Sequence, residues 1–160
     1  MIRPMGRGET ARGAGTSWAA RFSLGRAGEE AAARFLRGQG GRILASNWRP
    51  RGRHRRLELD LVALEDGVLV FAEVKTRQRS PGEDRTVFPT HAAFTAQKRR
   101  NMTQAARLYL TEQGLWDIPC RFDLICVERL PNGQLDVERH RNVIAIGRAA
   151  DSGHAAWQPW

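Results

Sequence analysis

Leu57–Arg77, LELDLVALEDGVLVFAEVKTR, reads as two strands joined by a tight turn. Leu57–Leu64 and Val68–Lys75 are rich in Val, Leu and Phe. Between them Asp66-Gly67 is a favoured pair for a two-residue type I′ hairpin. That turn pairs Glu65 with Val68, places Asp60 opposite Glu73 and sets Glu58 opposite Lys75. Side chains alternate faces with period two, so these four project from one face, followed by Val62 with Phe71 and Leu64 with Leu69. Leu59, Leu61 and Ala63 share the other face with Val74, Ala72 and Val70. The hairpin is therefore apolar on both sides near its turn and acidic at its far end.

Two carboxylates facing each other across a ladder repel. Glu58 has a basic partner in Lys75, which leaves Asp60 and Glu73 together. A divalent cation between them removes the repulsion, and carboxylate oxygens suit Mg²⁺ or Mn²⁺. Lys75 then sits one pleat away, within reach of a water at that cation. The plainer alternative is an exposed, salt-bridged strand face.

The 160 residues suffice for one domain with a core. Formal net charge is +9, from 26 basic and 17 acidic residues. Residues 1–56 carry Glu9, Glu29 and Glu30 as their acids against a large excess of Arg. Such a basic block suits a polyanion partner, most simply nucleic acid; a solubilising surface is the alternative. All the basic residues are Arg except Lys75 and Lys98. Arg keeps its proton in proteins whereas a partly buried Lys can lose it, which singles out Lys75 as a residue kept for its chemistry. Cys120 and Cys126 have the spacing of neither a metal knuckle nor a disulfide framework and read as small packing residues in a reducing compartment. No apolar run approaches a membrane span, and the Arg- and Gly-rich N-terminus is no secretory signal. These features predict a cytoplasmic protein with no membrane partner.

Residues 1–22 read as a disordered basic arm, 23–148 as the folded domain and 149–160 as a tail ending in Trp157 and Trp160. A helix is predicted from Ser23 to Arg37, with a stripe of Ala27, Ala31, Arg34 and Phe35, joined by Leu24 and Ala32, stopped by Gly38 and Gly40-Gly41. Arg42–Trp48 reads as a short strand. Arg49, Arg51, Arg53, His54, Arg55 and Arg56 then form a loop that enters the hairpin, where Arg forks beside a metal site suit phosphate. A second helix is predicted from Thr95 to Gln113. Its basic start, Lys98 to Arg100, opposes the helix dipole and so points to another anionic partner. Arg121–Glu128 reads as a strand, and Asn132-Gly133 as a hairpin turn into Leu135–Glu138 that Asn142–Ile146 extends.

The order is a Glu-bearing helix, a strand, a hairpin with Asp and Glu-x-Lys, a helix and a strand. It resembles the restriction-endonuclease-like core of the PD-(D/E)XK nucleases. It is closer to the YraN-like family of small bacterial proteins, which is similar to archaeal Holliday junction resolvases. The resemblance rests on Leu24-Gly-Arg-Ala-Gly-Glu-Glu-Ala-Ala32, Ile43-Leu44 through Asn47, Glu58-Leu-Asp-Leu-Val62, Val70-Phe-Ala-Glu-Val-Lys-Thr-Arg77, Lys98 and Arg121-Phe-Asp123. It implies an α/β fold with a central mixed β-sheet flanked by helices, and a Mg²⁺- or Mn²⁺-dependent hydrolysis of phosphodiester bonds in structured or branched DNA. By the same resemblance Asp60, Glu73 and the Val74 carbonyl hold the metal, Lys75 positions or deprotonates the attacking water, and Glu29 completes the acidic cluster through an intervening water. Arg49, Arg51, Arg53, Arg55, Arg56, Arg77, Lys98 and Arg99 are the expected nucleic-acid contacts. A homodimer suits the two-fold symmetry of a four-way junction. Two departures stand out: Leu59 precedes Asp60 where the superfamily name has Pro, and Leu57 stands where the family usually has Gly. The alternatives are a non-catalytic nucleic-acid-binding protein on the same fold and a protein-interaction subunit using the terminal Trp residues.

Overall fold

The Asp66-Gly67 turn forms with both residues left-handed, φ 49° and 78°. This is the backbone that a type I′ hairpin requires and that Asp and Gly tolerate. It fixes the register of β2 (Leu59–Glu65) against β3 (Val68–Gln78): Glu65 meets Val68, and the ladder runs to Leu61 opposite Ala72. The computed structural model describes residues 18–52, 56–83 and 95–144. The predicted tail, Trp157, Trp160 and most of the predicted arm lie outside them.

β1 (Arg42–Trp48) runs antiparallel to β2, β4 (Cys120–Arg129) parallel to β3, and β5 (Leu135–His140) antiparallel to β4, giving a five-stranded mixed sheet in chain order. The parallel step needs a crossover, which α2 (Ala96–Gln113) supplies on one face. α1 (Trp18–Gly38) covers the other. This α/β arrangement is compatible with a restriction-endonuclease-like core.

Each helix closes its own core. Ala31, Ala32, Ala33 and Leu36 of α1 pack on Leu61, Ala63, Val70, Ala72, Ile125 and Val127. Met102, Ala105, Ala106, Tyr109 and Leu110 of α2 pack on Val62, Leu69, Phe71, Phe122 and Leu124. α2 is bounded as the sequence predicts: Thr95 Oγ1 accepts the Lys98 N–H at the start, and Gly114 closes the end in the left-handed region.

Three expectations need correction. α1 begins at Trp18 rather than Ser23, because Ala19, Ala20 and Arg21 are strong helix formers that follow directly on the Gly-rich segment. Leu59 joins the α2-side core with Leu57, not the α1-side core with Leu61, so face alternation fails across Asp60. Residues 142–144 do not extend the edge strand: Asn142, at φ 56°, turns the chain so that its N–H reaches Asp123 Oδ1 at 3.0 Å.

Gly28 is where α1 comes closest to the sheet. A Cβ there would lie 1.9 Å from Thr76 Oγ1 and 2.9 Å from Thr76 Cβ, so rotating Thr76 cannot relieve the clash. Gly28→Ala is expected to push α1 off β3 and cost about 1–3 kcal/mol, read as a lowered midpoint in thermal or urea unfolding. Gly25→Ala, inside the same helix and meeting nothing within 4 Å, is the control, expected to gain about 1 kcal/mol from helix propensity.

Candidate functional site

β2 and β3 part after the Leu61–Ala72 pair, and the acids gather where they part. Asp60 forms no ladder pair with Glu73. Its Oδ2 accepts the Val74 backbone N–H at 2.8 Å, taking a donor that a continued ladder would give to a β2 carbonyl. Glu58 does not meet Lys75 either: its Oε2 accepts from Arg49 Nη2 at 2.7 Å. The predicted register thus holds through the apolar half of the hairpin and ends at the polar half, where a side chain replaces the ladder.

Glu73 lies on the α2 side and is 2% exposed. Burying a carboxylate is costly unless opposite charge accompanies it. Lys75 Nζ hydrogen-bonds Oε1 at 2.7 Å, and Lys98 Nζ, from the first turn of α2, lies 2.6 Å from Oε2. Both lysines of the chain therefore end on one carboxylate. The Lys98 contact is ionic but outside hydrogen-bond geometry, so buried Oε2 has no directed hydrogen bond. Burial pushes the Asp60 carboxyl up to about 7, the neighbouring Glu73 charge adds to the rise, and the Val74 N–H and Lys98 oppose it.

Glu29 stands apart on the α1 side. Its Oε2 accepts from Asn47 Nδ2 at 2.8 Å, and it borders a small cleft with Val74 and Thr76. Among the described residues, no three acidic, His or Cys side chains gather closely enough to hold a metal ion. The cluster is a carboxylate pair, and hard oxygen donors with one buried oxygen lacking a directed hydrogen bond fit a cation such as Mg²⁺. That ion commonly takes one or two protein carboxylates and completes its shell with water and substrate phosphate.

The predicted phosphate contacts divide. Arg49 is paired with Glu58, and Arg51 uses its backbone N–H on Glu112 Oε1 at 3.3 Å. Arg56 and Arg99 have exposed side chains. Arg53 and Arg55 lie outside the described residues. Arg77 is committed to Glu83 and Glu128, and Lys98 to Glu73. A groove of about 850 Å³ runs between α1 and β1, lined in part by Arg26, Arg34, Arg37, Arg49, Glu29 and Glu58. None of the three α1 arginines is among the predicted phosphate contacts, and Arg34, expected on the apolar stripe, is exposed. Their spacing along the outer face of a predicted helix was the available signal. Cys126 is buried and Cys120 half-buried, and burial pushes their thiols up to about 11 and 12, in keeping with packing roles.

The molecule is thus an α/β protein with a two-carboxylate, two-lysine cluster at the parted end of its central hairpin. The family described as "Uncharacterised protein family UPF0102" matches residues 28–127, which hold all four of those side chains, and the chain belongs to that family. A UPF0102 protein of Oleidesulfovibrio alaskensis is 42% identical over 149 residues, covering 89% of this chain and 69% of the relative. One from Lawsonia intracellularis is 39% identical over 137 residues, 86% and 96% of the two chains. One from Symbiobacterium thermophilum is 46% identical over 116 residues, 70% and 87%. No helix among the described residues is long and apolar enough to cross a membrane.

Proposed function

We propose that this protein is a Mg²⁺- or Mn²⁺-dependent endonuclease of the PD-(D/E)XK kind, similar to archaeal Holliday junction resolvases, that hydrolyses phosphodiester bonds in structured or branched DNA. The observation that carries this reading is the convergence of Asp60, Glu73 and Lys75 where β2 and β3 part. Asp60 and Glu73 hold the cation, with the Val74 carbonyl as a further oxygen donor. When bound, the cation supplies Lewis-acid polarisation of the scissile phosphate. Lys75 spends one N–H on Glu73, and its remaining donors orient the attacking water and offset charge building on phosphorus. Glu29 acts at one remove, from the α1 side. The groove arginines and the exposed Arg51, Arg56 and Arg99 take the phosphates, and two copies of the chain match the symmetry of a four-way junction.

A non-catalytic nucleic-acid-binding protein is the second reading. It is favoured by the neutralisation of Glu73 by two lysines and by the tie between Glu29 and Asn47. Titration calorimetry of Mn²⁺ into wild type and Asp60→Ala separates the two. A single site lost in the variant supports the metal centre. Salt-sensitive junction binding, with no Mn²⁺ uptake and no cleavage of junctions, flaps or single strands, moves the assignment to the second reading.

A further inference from the structure

The lysine usage of this chain is narrow, and both lysines reach the same buried group. Lys75 comes from the strand that carries Glu73, two residues on, and makes a directed hydrogen bond to Oε1. Lys98 comes from a separate element. Its ammonium sits 2.6 Å from Oε2 without hydrogen-bond alignment, and its side chain is 30% exposed. Its charge also acts on Asp60, so this one ammonium serves both acids. Such an arrangement fits a compact cation held chiefly by charge, at a buried oxygen that no directed hydrogen bond occupies. Lys suits this place better than Arg. Its ammonium is a small, strongly hydrated point charge on a flexible stem, and leaving costs it one ionic contact rather than a bidentate fork.

We propose that Lys98 is a resident counter-ion for the Asp60–Glu73 pair, which a divalent cation must displace to bind. The inference rests on the metal-centre reading above. Without metal the Lys98 ammonium keeps the buried Glu73 carboxylate compensated and the parted hairpin end stable. When the cation enters, Lys75 stays on Oε1 and Lys98 swings away from Oε2 towards solvent. It is then released beside the site, where a substrate phosphate can take it. Cation binding and DNA binding are coupled through one side chain, and each favours the other.

Two measurements on the full chain test this. The first is calorimetric Mn²⁺ affinity of wild type, Lys98→Met and Lys75→Met. Removing a resident competitor is expected to tighten Mn²⁺ binding by Lys98→Met about tenfold or more, the scale on which an adjacent charge acts on a carboxylate. Lys75→Met is expected to gain less. The second is amine acylation of wild type, read by peptide mass spectrometry with and without saturating Mn²⁺. With only two lysines, each site resolves directly. Lys98 is expected to label slowly without metal and faster with it, while Lys75 stays slow in both. The labelling needs no variant, so it remains decisive if Lys98→Met folds poorly. Mn²⁺ binding equally tight in wild type and Lys98→Met, or Lys98 labelling that Mn²⁺ leaves unchanged, overturns the displacement while leaving the metal centre intact. Absence of Mn²⁺ binding by wild type and Lys98→Met together overturns the metal reading and this inference with it. Binding by Lys98→Met alone is the strongest support for displacement.

Discussion

Asp60→Asn is expected to lower metal-dependent cleavage of branched DNA by roughly a thousandfold or more while leaving the fold and junction binding intact. The substitution keeps the shape of the side chain. The Asn carbonyl can still accept the Val74 N–H that Asp60 Oδ2 accepts at 2.8 Å, so the parted end of the hairpin keeps its one side-chain substitute for a ladder bond. What goes is the charge that, with Glu73, attracts a divalent cation. Stability should move the other way. A carboxyl whose folded pKa is raised to about 7 from 3.8 binds its proton more tightly in the folded than in the unfolded state. Stability then falls as pH rises from about 4 through 7, because ionising Asp60 beside Glu73 costs more in the folded protein. Asp60→Asn removes that slope. Urea unfolding across pH 4–8 without metal should show wild type losing stability with rising pH relative to the variant, and saturating Mn²⁺ should restore it in wild type only. Cleavage that survives in Asp60→Asn under Mn²⁺ would falsify the assignment of the acid pair as the reactive centre.

The apolar half of the hairpin was legible because two local rules agree there. Asp-Gly sets the turn, and period-two burial sets the register from Glu65–Val68 to Leu61–Ala72. Beyond that point the register still predicted the right neighbours, Asp60 and Glu73, but not their geometry. Asp60 uses its side chain in place of a backbone partner, and nothing in the local pattern marks where a ladder stops. The pairing of Glu58 with Lys75 failed for a related reason. Arg49 arrives from β1's end, and Lys75 is drawn inwards by a carboxylate that α2 buries. Lys98 was legible as a basic residue at a helix start and as part of the family resemblance, but as a nucleic-acid contact rather than a partner of Glu73. Its contact with Glu73 spans two elements whose relative placement is tertiary. Glu29 was placed on the correct helix, yet its partner Asn47 depends on a left-handed residue at the end of β1, φ 51°. Rare αL conformers of Asn are sequence-compatible at many positions and decisive at few.

Arg139→Ala is expected to cost about 3–5 kcal/mol, the scale for removing one partner from a buried ionic group. That is a large share of the stability of a domain this size. Arg139 is 5% exposed and bridges two buried acids. Its Nη1 and Nη2 bond Glu65 at 2.8 and 2.9 Å, and its Nε and Nη2 bond Asp123 at 2.9 and 2.7 Å. Arg121 reaches both acids as well. The network ties β2, β4 and β5 together at the turn end of the hairpin, away from Asp60. Losing Arg139 leaves two carboxylates, 4% and 0% exposed, with the half-buried Arg121 guanidinium between them and the exposed Arg141 3.6 Å from Glu65. The pH dependence identifies the mechanism. In wild type the Arg139 and Arg121 guanidiniums hold the Glu65 carboxyl at about 2, below its ordinary 4.5. Its contribution is therefore complete above about pH 4.5 and is lost as pH falls towards 2. Without Arg139 that carboxyl rises, so the variant's deficit is expected to be largest near pH 7 and to shrink on acidification. Adding Glu65→Gln to Arg139→Met should recover part of the loss at neutral pH, because one buried carboxylate is then gone and Asp123 keeps Arg121 and the Asn142 N–H. Cleavage per folded molecule should not change in these variants, which separates a residue that holds the sheet from one that acts on substrate. A deficit that stays constant from pH 3 to pH 7 would mean that packing of the Arg139 stem, rather than its charge, holds β5 in place.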